Sequence, residues 1–482
     1  TLADKEKVIR DSLVEFEERG VQDDDLAKVK ASMEASFIFG LQSVSGKVST
    51  LAANQTFKGD PNYIEKDIAR YANVTKADVM RVFKKYIKDQ HAVIMSIVPK
   101  GKLDLIAAQD NFIPAPRSKG QTSETSAESL VVRKAQDNFD RSKMPISGAN
   151  KSVAVPQMWN KTLANGIKVL GTQSIETPTT SLLLKIPAGH YYSDKDKAGV
   201  VSLLASALNE STTKRSAEEM SNELQKLGSS IAIYAGNQYL NVNVSTLTKN
   251  LDATMALVNE KLMHPAFIEV EFSRNKSNAI QGAINSKKDA GYLASTAYRQ
   301  LLQADNIAAT SSQGTEQSLN NITLADVKAF YEQQVKPSDS QLIVVSDLKE
   351  KALIKSLNVF SSWQGKGSSL VLTLAKPETK AGVIYLVNKE GAAQSAIRIG
   401  KRSMTQDITG EYYKSYLMNF TLGGAFNSRI NLNLREDKGY TYGARSGFSA
   451  DKFSGTFTAS AEVRADVTDK SIIEFVNEIK GY

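Results

Sequence analysis

The sequence predicts an α+β fold built from repeated α/β-sandwich domains, in which a mainly antiparallel sheet packs against helices. Segments with apolar residues at every second position alternate along the chain with segments whose apolar residues recur at helical spacing. A similar stretch of sequence also occurs twice, beginning at Asn73 and at Asn321. We therefore expect two homologous halves joined by a linker.

The first hundred residues predict helices followed by one strand. The text before Gly20 has apolar residues at helical spacing, and the aspartates that begin at Asp23 suit the start of a second helix. Further along, Thr75 and Asp78 form the pattern of a capping box at the start of another helix. The alternating text HAVIMSIVPKG then predicts a short strand.

The middle of the chain predicts a linker followed by a new globular segment. Residues 102–155 are mostly polar, and their apolar residues recur at neither helical nor strand spacing, which is typical of a linker. From residue 156 onwards the pattern predicts strands, then helices, then paired strands. The segments are the strands TLANGIKVL and SLLLKIPAG, the helix DKAGVVSLLASALNES, a helix capped by Ser216 and Glu219, and the strands SSIAIYAG and QYLNVNVST.

The repeated sequence indicates that the same structural unit forms the C-terminal end of two domains. Both copies carry Asn, Thr, Ala, Asp and Val in register, followed by a helix and a strand. A chance likeness between two capped helices is the alternative. Beyond the second copy, a loose stretch precedes two further predicted strands, VIYLVN and SAIRIGKRS, and then a helix.

Composition argues against several classes of function. Lys and Arg outnumber Asp and Glu by 60 to 52 and are spread along the chain, so we expect a solvated surface and no nucleic-acid partner. The lack of cysteine excludes disulfides, thiolate metal ligands and a cysteine nucleophile. No apolar run reaches the roughly eighteen residues that a membrane span needs, so we expect a soluble chain without a span.

Three histidines are available for a metal site or for general-base catalysis: His91, His190 and His264. His91 opens a predicted strand, His190 follows a glycine, and His264 precedes a proline after a helical segment. None has a second histidine four residues away, the spacing that places two imidazoles on one face of a helix. We expect structural or surface roles for all three.

The most specific text of the chain lies in its last sixty residues. Gly423–Gly424 precede a predicted helix from Ser428 to Glu436, and the text from Arg435 to Tyr442 reads REDKGYTY. This arrangement resembles the signature of the C-terminal half of the insulinase/pitrilysin/mitochondrial-processing-peptidase family of zinc metallopeptidases. The resemblance covers most of residues 156–482, and residues 1–100 resemble the end of the domain before the linker.

In active members of that family, the inverted zincins, a helix carries the motif His-x-x-Glu-His. The two imidazoles bind zinc from one face of the helix, and the Glu polarises zinc-bound water. The resemblance aligns that motif with Ser202, Ala205 and Ser206. The third ligand, a Glu on a later helix, aligns with Gly282 or Ala283. The resemblance therefore implies no metal, no cofactor and no catalytic residue in this chain.

The resemblance also implies a substrate-binding role for Arg435 and Tyr442. In the family, an Arg and a Tyr at this spacing belong to the non-catalytic half and reach across a closed chamber to the substrate near the zinc. An Arg fork and a phenol can hold a peptide carbonyl and steady the negative charge that develops during attack by water. The alternative is structural, with Arg435 capping the end of a helix and Tyr442 packing in a strand.

The implied organisation is a clamshell in which one half carries zinc and the other is degenerate. Residues 1–101 then correspond to the C-terminal portion of the second domain, and residues 102–155 to the linker between the halves. Residues 156–365 correspond to the third domain, with the degenerate motif, and residues 366–482 to the N-terminal portion of the fourth. The expected partners are peptide substrates and the catalytic N-terminal half of the same protein, which would hold the zinc.

The resemblance thus implies the non-catalytic part of a zinc-dependent endopeptidase, inactive alone, that supplies chamber wall and substrate-binding surface. The long two-half bacterial members imply the periplasm or cell envelope of a bacterium. The alternative is a non-enzymatic scaffold or assembly subunit with the same fold. Because both terminal domains are expected to be partial, we also expect them to complement each other at exposed sheet edges, within one chain or in a homodimer.

Overall fold

A computed structural model describes residues 1–112, 152–370 and 382–482, together with residue 372 and a few single positions between residues 138 and 149. Much of the predicted linker, residues 102–155, lies outside the described residues. The described chain contains helices and two open sheets, so the expected α+β class is confirmed. No helix in these ranges is both long and apolar enough to cross a membrane.

Helices and strands are numbered along the chain. The helices are α1 (Leu2–Arg19), α2 (Asp23–Gly40), α3 (Val44–Lys58), α4 (Ile64–Ala72), α5 (Lys76–Tyr86), α6 (Val200–Asn209), α7 (Ala217–Lys226), α8 (Leu251–Met263), α9 (Glu269–Ser286), α10 (Ala290–Gln303), α11 (Glu316–Asn320), α12 (Leu324–Gln334), α13 (Glu350–Leu357), α14 (Glu411–Asn419), α15 (Arg429–Asn431) and α16 (Thr468–Lys480). The strands are β1 (Met158–Thr162), β2 (Lys168–Gln173), β3 (Thr179–Ile186), β4 (Ser230–Ala235), β5 (Leu240–Leu247), β6 (Gln341–Ser346), β7 (Gln394–Ser403), β8 (Thr441–Ala450) and β9 (Gly455–Arg464). Two π-helical turns, Phe420–Gly424 and Leu432–Asp437, flank α15.

The described chain forms two compact units. The first comprises residues 1–30 and 64–156, and the second comprises residues 31–63 and 157–482. Within the first unit, the rings of Phe16 on α1 and Phe83 on α5 meet edge to face with centroids 5.0 Å apart. Such an aromatic contact joins helices that are far apart in sequence.

The predicted helix starts are confirmed. Thr75 and Asp78 form a capping box at the start of α5, and Ser216 and Glu219 form one at the start of α7. Helix α12, in the second copy of the repeated text, begins with the same kind of box at Thr323. The predicted pair of helices in the first forty residues is confirmed as well, in α1 and α2. Each of these signals is local, because a capping box lies within four consecutive residues.

Two predicted strands are wrong. Residues 91–99, within HAVIMSIVPKG, and residues 383–388, VIYLVN, have no regular secondary structure. Their apolar side chains are exposed, Val93 by 95% and Leu386 by 91%. A strand persists only when its backbone N–H and C=O groups pair with a neighbour. Neither segment has such a neighbour among the described residues.

The second unit contains a six-stranded sheet in the order β1-β2-β6-β3-β5-β4. Neighbouring strands run antiparallel, except that β2 and β6 run parallel. Strand β3 pairs with β5 on one side and with β6 on the other. The predicted pairing of SSIAIYAG with QYLNVNVST is confirmed in β4 and β5.

The larger hydrophobic core lies between this sheet and its helices. Along β3, Leu182, Leu184 and Ile186 point inward and are no more than 2% exposed, as the two-residue period of a strand requires. Helix α6 contributes Leu204 and Leu208 to the same core. Helix α6, which contains the positions aligned with the zinc motif, is therefore a central structural element of the second unit.

A smaller sheet, in the order β7-β9-β8, carries the C-terminal text. Strand β7 corresponds to the predicted strand SAIRIGKRS and pairs along its length with β9. Its separate core includes Ile397 on β7, Leu434 in the second π-helical turn and Phe475 on α16. This packing fixes the position of the segment between Arg435 and Tyr442.

Replacement of Leu204 by Ala is expected to lower the free energy of unfolding by about 2–5 kcal/mol, because it leaves a cavity in the larger core. The chain has two tryptophans, Trp159 and Trp363, and both belong to or pack against this core, so fluorescence-detected denaturation in urea reports on it directly. Leu386→Ala, at a side chain that is 91% exposed, is the control and should change the value by less than about 0.5 kcal/mol. Equal losses in the two variants would contradict the packing.

Candidate functional site

Helix α6 carries the three positions that align with the zinc motif. Ser202 Oγ donates a hydrogen bond to the carbonyl oxygen of Ser312 at 2.9 Å. Ser206 Oγ donates to the carbonyl oxygen of Ser202, one turn earlier, at 3.0 Å. Ala205 is 4% exposed and belongs to the larger core. These side chains serve helix packing and backbone hydrogen bonding.

The position expected for the third ligand lies on α9. Gly282 is exposed and has open space around it, and Ala283 packs against the larger core. Zinc sites in proteins use imidazole, thiolate or carboxylate ligands, and none of these groups stands at the motif positions. Within the described ranges, no three His, Asp or Glu side chains are grouped to hold a metal ion. The residues at the motif therefore do not fit zinc.

A buried ion network closes the C-terminal end of α6. Lys261 on α8 is 3% exposed, and its Nζ donates to the carbonyl oxygen of Asn209 at 2.9 Å. Burial lowers the pKa of Lys261, and the carboxylates of Glu210 and Glu260 oppose that effect. Glu260 is also buried and forms an ion pair with Arg215. A cation at this end of a helix satisfies carbonyl groups that lack an intrahelical partner, so the network stabilises the fold.

The three histidines have different surroundings. His190 is 1% exposed, and its Nε2 lies 3.2 Å from both the carbonyl oxygen of Ile307 and Oγ1 of Thr310. Burial lowers the pKa of His190, which favours the neutral ring. His91 and His264 are exposed. The buried histidine is thus a packed, hydrogen-bonded side chain.

Arg435 lies in the second π-helical turn, just before β8. It forms an ion pair with the neighbouring Glu436, and its guanidinium lies over the ring of Phe426, 4.7 Å from the centroid. Its side chain is 33% exposed. A guanidinium stacked on an aromatic ring is restrained in orientation, and it carries donors in a fixed planar fork. Arg435 is therefore held in place while part of it faces solvent.

A bulge in β8 accompanies the outward position of Tyr442. The pairing of β8 with β9 shifts register between Thr441 and Ala444. Thr441 Oγ1 donates to the carbonyl oxygen of Glu462 at 2.6 Å and accepts from the backbone N–H of Gly443 at 3.1 Å. Bulges redirect side chains and are frequent beside active sites. Tyr442 is 94% exposed, so the alternative that it packs inside a strand does not hold.

Buried side-chain amides hold the segment before Arg435 against β8. Asn419 Nδ2 donates to the carbonyl oxygen of Ser446 at 2.8 Å, and its Oδ1 accepts from the Ser446 hydroxyl at 2.6 Å. Asn431 Oδ1 accepts from the backbone N–H of Ala444 at 3.0 Å. Gly423 approaches so closely that an added Cβ would lie 2.2 Å from Ser446 Oγ. The glycine pair Gly423–Gly424 thus has a packing role. The π-helical turns could not be predicted, because no sequence pattern distinguishes them from α-helix.

Arg435 and Tyr442 lie on consecutive elements, at opposite ends of the turn that leads into β8. They do not hydrogen-bond to each other in the described part of the chain. Arg435 contacts Glu436 and Phe426, whereas the Tyr442 phenol is open to solvent. Phe426, 64% exposed, is a surface residue beside Arg435 that the sequence patterns did not indicate.

Comparison with family models gives two adjacent matches. Residues 168–311 match Insulinase (Peptidase family M16), and residues 321–482 match Peptidase M16 inactive domain. The two matched ranges together cover more than half of the chain. The chain belongs to the insulinase family of peptidases, M16, and the family that the sequence predicted is confirmed.

Relatives in this family carry different names. A Helicobacter pylori protein named "Non-peptidase homolog YmxG" is 25% identical over 276 residues, which span 56% of this chain and 63% of that protein. A Rickettsia felis protein named "Uncharacterized zinc protease" is 21% identical over 319 residues, which span 66% of this chain and 76% of that protein. One relative is therefore named as a protease and another as a protein without peptidase activity.

Solved structures share the fold. A peptidase M16 inactive domain from Pseudomonas fluorescens has a TM-score of 0.63 at 24% identity and covers 68% of this chain and 79% of its own. The periplasmic protease PqqL from Escherichia coli has a TM-score of 0.53 at 17% identity and covers 68% of this chain and 38% of its own. At these identities the likeness concerns the fold.

His190 is expected to make stability depend on pH. Burial places its folded-state pKa below the value of 6.5 that it has when exposed, so the unfolded state binds the proton more readily. The contribution of His190 to the free energy of unfolding is complete above about pH 6.5 and is lost as the pH falls towards the lowered folded-state pKa. Denaturation midpoints from pH 7.5 to 5 should therefore fall less steeply in His190→Leu than in the parent protein.

The exposed His264 supplies the control for this measurement. The variant His264→Gln should keep the parental pH dependence. The same slope in His190→Leu and in the parent protein would show that His190 does not make this contribution.

Proposed function

We propose that this chain is the non-catalytic part of a zinc-dependent endopeptidase, in which it forms chamber wall and a peptide-binding surface. Hydrolysis would take place at zinc held by a catalytic half of the same protein. The observation that carries the proposal is a combination: helix α6 lacks zinc ligands, whereas an anchored turn presents Arg435 and Tyr442 to solvent.

Arg435 is suited to hold a peptide carbonyl. Its pairing with Glu436 uses Nη1, and the guanidinium has five N–H donors in all. Stacking on Phe426 restricts the rotation of the planar group, so less conformational entropy is lost when a peptide binds. Hydrogen bonds from a charged donor are stronger than those between neutral groups.

Tyr442 is suited to give a second, neutral hydrogen bond. Its phenol is exposed, and the bulge fixed by Thr441 holds the backbone that carries it. Strand β8 is also an edge of the smaller sheet, because it pairs with β9 alone among the described strands. An edge strand can add an extended peptide through backbone hydrogen bonds. Peptides in extended conformation are therefore the proposed substrate class.

In an assembled enzyme, the two side chains would act on the charge that develops during attack by water. A guanidinium and a phenol near the scissile carbonyl stabilise a developing oxyanion when they are positioned in advance. The likeness of the fold to the periplasmic protease PqqL supports a bacterial periplasm or cell envelope as the proposed location. The partner in that assembly is the zinc-bearing half.

A second candidate is a non-enzymatic scaffold or assembly subunit. The Helicobacter pylori relative, named a non-peptidase homolog, favours it. The two candidates differ in what surrounds this chain: an endopeptidase requires a His-x-x-Glu-His helix in the same protein, and a scaffold does not. Both leave helix α6 as a structural element.

Binding of a fluorescein-labelled unstructured peptide, followed by anisotropy, tests the proposed surface. Arg435→Gln should raise the Kd roughly tenfold or more, since a charge-assisted hydrogen bond is lost, and Tyr442→Phe should raise it roughly fivefold. Both side chains are partly or fully exposed, so the variants should fold normally.

Two matched variants serve as controls. Arg274→Gln removes another exposed, ion-paired arginine, and Tyr234→Phe alters another exposed tyrosine on an edge strand. Both should bind the peptide as the parent does. If the site variants and the controls lose affinity equally, or if neither pair does, Arg435 and Tyr442 are not the peptide contacts.

A further inference from the structure

A small cavity lies in the second unit, and its walls include neither Arg435 nor Tyr442. Its volume is about 260 Å³. The walls come from the segment that follows β3, from the end of α12 and the turn after it, from the loop at residues 366–370, and from the turn between β8 and β9. We call it the lysine pocket and define it by Gln334, Lys336, Lys366, Lys452 and Phe453.

The charges around this pocket favour an anion. Lys336, Lys366 and Lys452 line it from three separate segments, and Asp339 is the carboxylate among its lining residues. Asp339 is itself engaged by cations, 3.8 Å from Lys366 Nζ and 3.5 Å from Lys168 Nζ. The ammonium group of Lys452 lies 4.8 Å from the centre of the Phe453 ring. Three lysines from separate segments therefore line a space whose one carboxylate is itself ion-paired.

Gln334 adds a neutral polar group that lacks a partner. It is 4% exposed, and its side-chain Oε1 is buried without a hydrogen bond. Buried polar atoms in native proteins nearly always have a partner, and this acceptor belongs to a residue of the pocket wall. Because Oε1 accepts hydrogen bonds, a ligand that satisfies it has to present an N–H or O–H donor.

Two glycines shape the wall around these side chains. An added Cβ at Gly367 would lie 2.8 Å from Gln334 Oε1. Gly365 has φ +109°, and an added Cβ there would lie 3.2 Å from Lys336 Cδ. Glycine at both positions lets the loop approach the two residues closely, and positive φ at Gly365 is strained for other residues.

The loop is also tied to the larger core. Asn165 Nδ2 donates to the carbonyl oxygens of Phe360 at 2.8 Å and of Trp363 at 3.2 Å. The backbone N–H of Ser338 donates to the carbonyl oxygen of Gly365 at 3.3 Å. These bonds order the loop before any ligand arrives, which lowers the entropic cost of binding.

We propose that the lysine pocket binds the free C-terminal end of a peptide. The terminal carboxylate would interact with the lysine ammonium groups, and the last amide N–H would donate to Gln334 Oε1. A peptide terminus places an anion and a donor on the same residue, which matches the lysines and the unpaired acceptor of the pocket wall. The volume lies below the roughly 300–1,000 Å³ of pockets for drug-sized ligands, so it suits one terminal residue.

This inference rests on the proposed function, because it adds the anchored end to a peptide that Arg435 and Tyr442 contact elsewhere. The probe for testing it is N-acetyl-Ala-Ala with a free carboxylate, titrated by ligand-observed NMR. Its C-terminal amide lacks the charge, and the depsipeptide N-acetyl-alanyl-lactate lacks the N–H. The free acid should bind roughly tenfold more tightly than the amide and roughly fivefold more tightly than the depsipeptide.

Charge variants locate the binding. Lys366→Gln combined with Lys452→Gln should raise the Kd of the free acid roughly tenfold. Lys249→Gln combined with Lys287→Gln removes two exposed, ion-paired lysines elsewhere and should leave the Kd unchanged. Equal effects of the two double variants would overturn the proposal.

Two further outcomes decide the ligand class. Inorganic phosphate that displaces the free acid and binds at least as tightly would overturn the peptide assignment in favour of a general anion site. Equal binding of acid, amide and depsipeptide would also overturn it. Arg435→Gln should not affect this short probe, so loss of the lysine pocket and loss of the Arg435 surface are separate results.

Discussion

The structure of the second unit depends on the burial of α6 against the six-stranded sheet. Leu204 and Leu208 lie in the core that also holds the inward residues of β3, and Ala205 packs beside them. The same helix carries small side chains at two half-buried positions, Ser202 and Ser206. Both hydroxyls donate hydrogen bonds to backbone carbonyl oxygens. The side chains at these two positions, which align with zinc ligands, therefore have a structural role.

Peptide contacts would depend on a different constraint, the attachment of the π-helical region to β8. The amides of Asn419 and Asn431 satisfy backbone groups of that strand, and Gly423 permits the close approach. Arg435 and Tyr442 then lie at the two ends of one turn. Arg435 stacks on Phe426, and Tyr442 belongs to the bulge of β8. The lysine pocket is held in a similar way, by Asn165 and two glycines. In both places buried amides and glycines hold the backbone, while cationic side chains face solvent.

Local signals in the sequence were sufficient for much of the fold. The capping boxes at Thr75 and Ser216, the helix α6 and the paired strands β4 and β5 follow from short patterns, and the structure has them. The strand-like segments at residues 91–99 and 383–388 failed because a strand requires a partner that no local pattern specifies. The unpaired Gln334 and the lining of one pocket by three lysines depend on tertiary contacts, so they could not be predicted either. The predicted domain boundaries, the two homologous halves and the roles of Arg435 and Tyr442 stay predictions.

Whether the chain binds zinc and cleaves peptides is decided by its zinc content, measured by elemental analysis on the purified chain, together with cleavage of a quenched fluorescent peptide with and without added zinc. We expect no stoichiometric metal and no cleavage, because the motif positions carry hydroxyl and methyl groups that already serve packing and backbone hydrogen bonding. One zinc per chain with cleavage that a chelator abolishes would contradict this expectation. That result would require a metal site built from residues other than Ser202, Ala205 and Ser206.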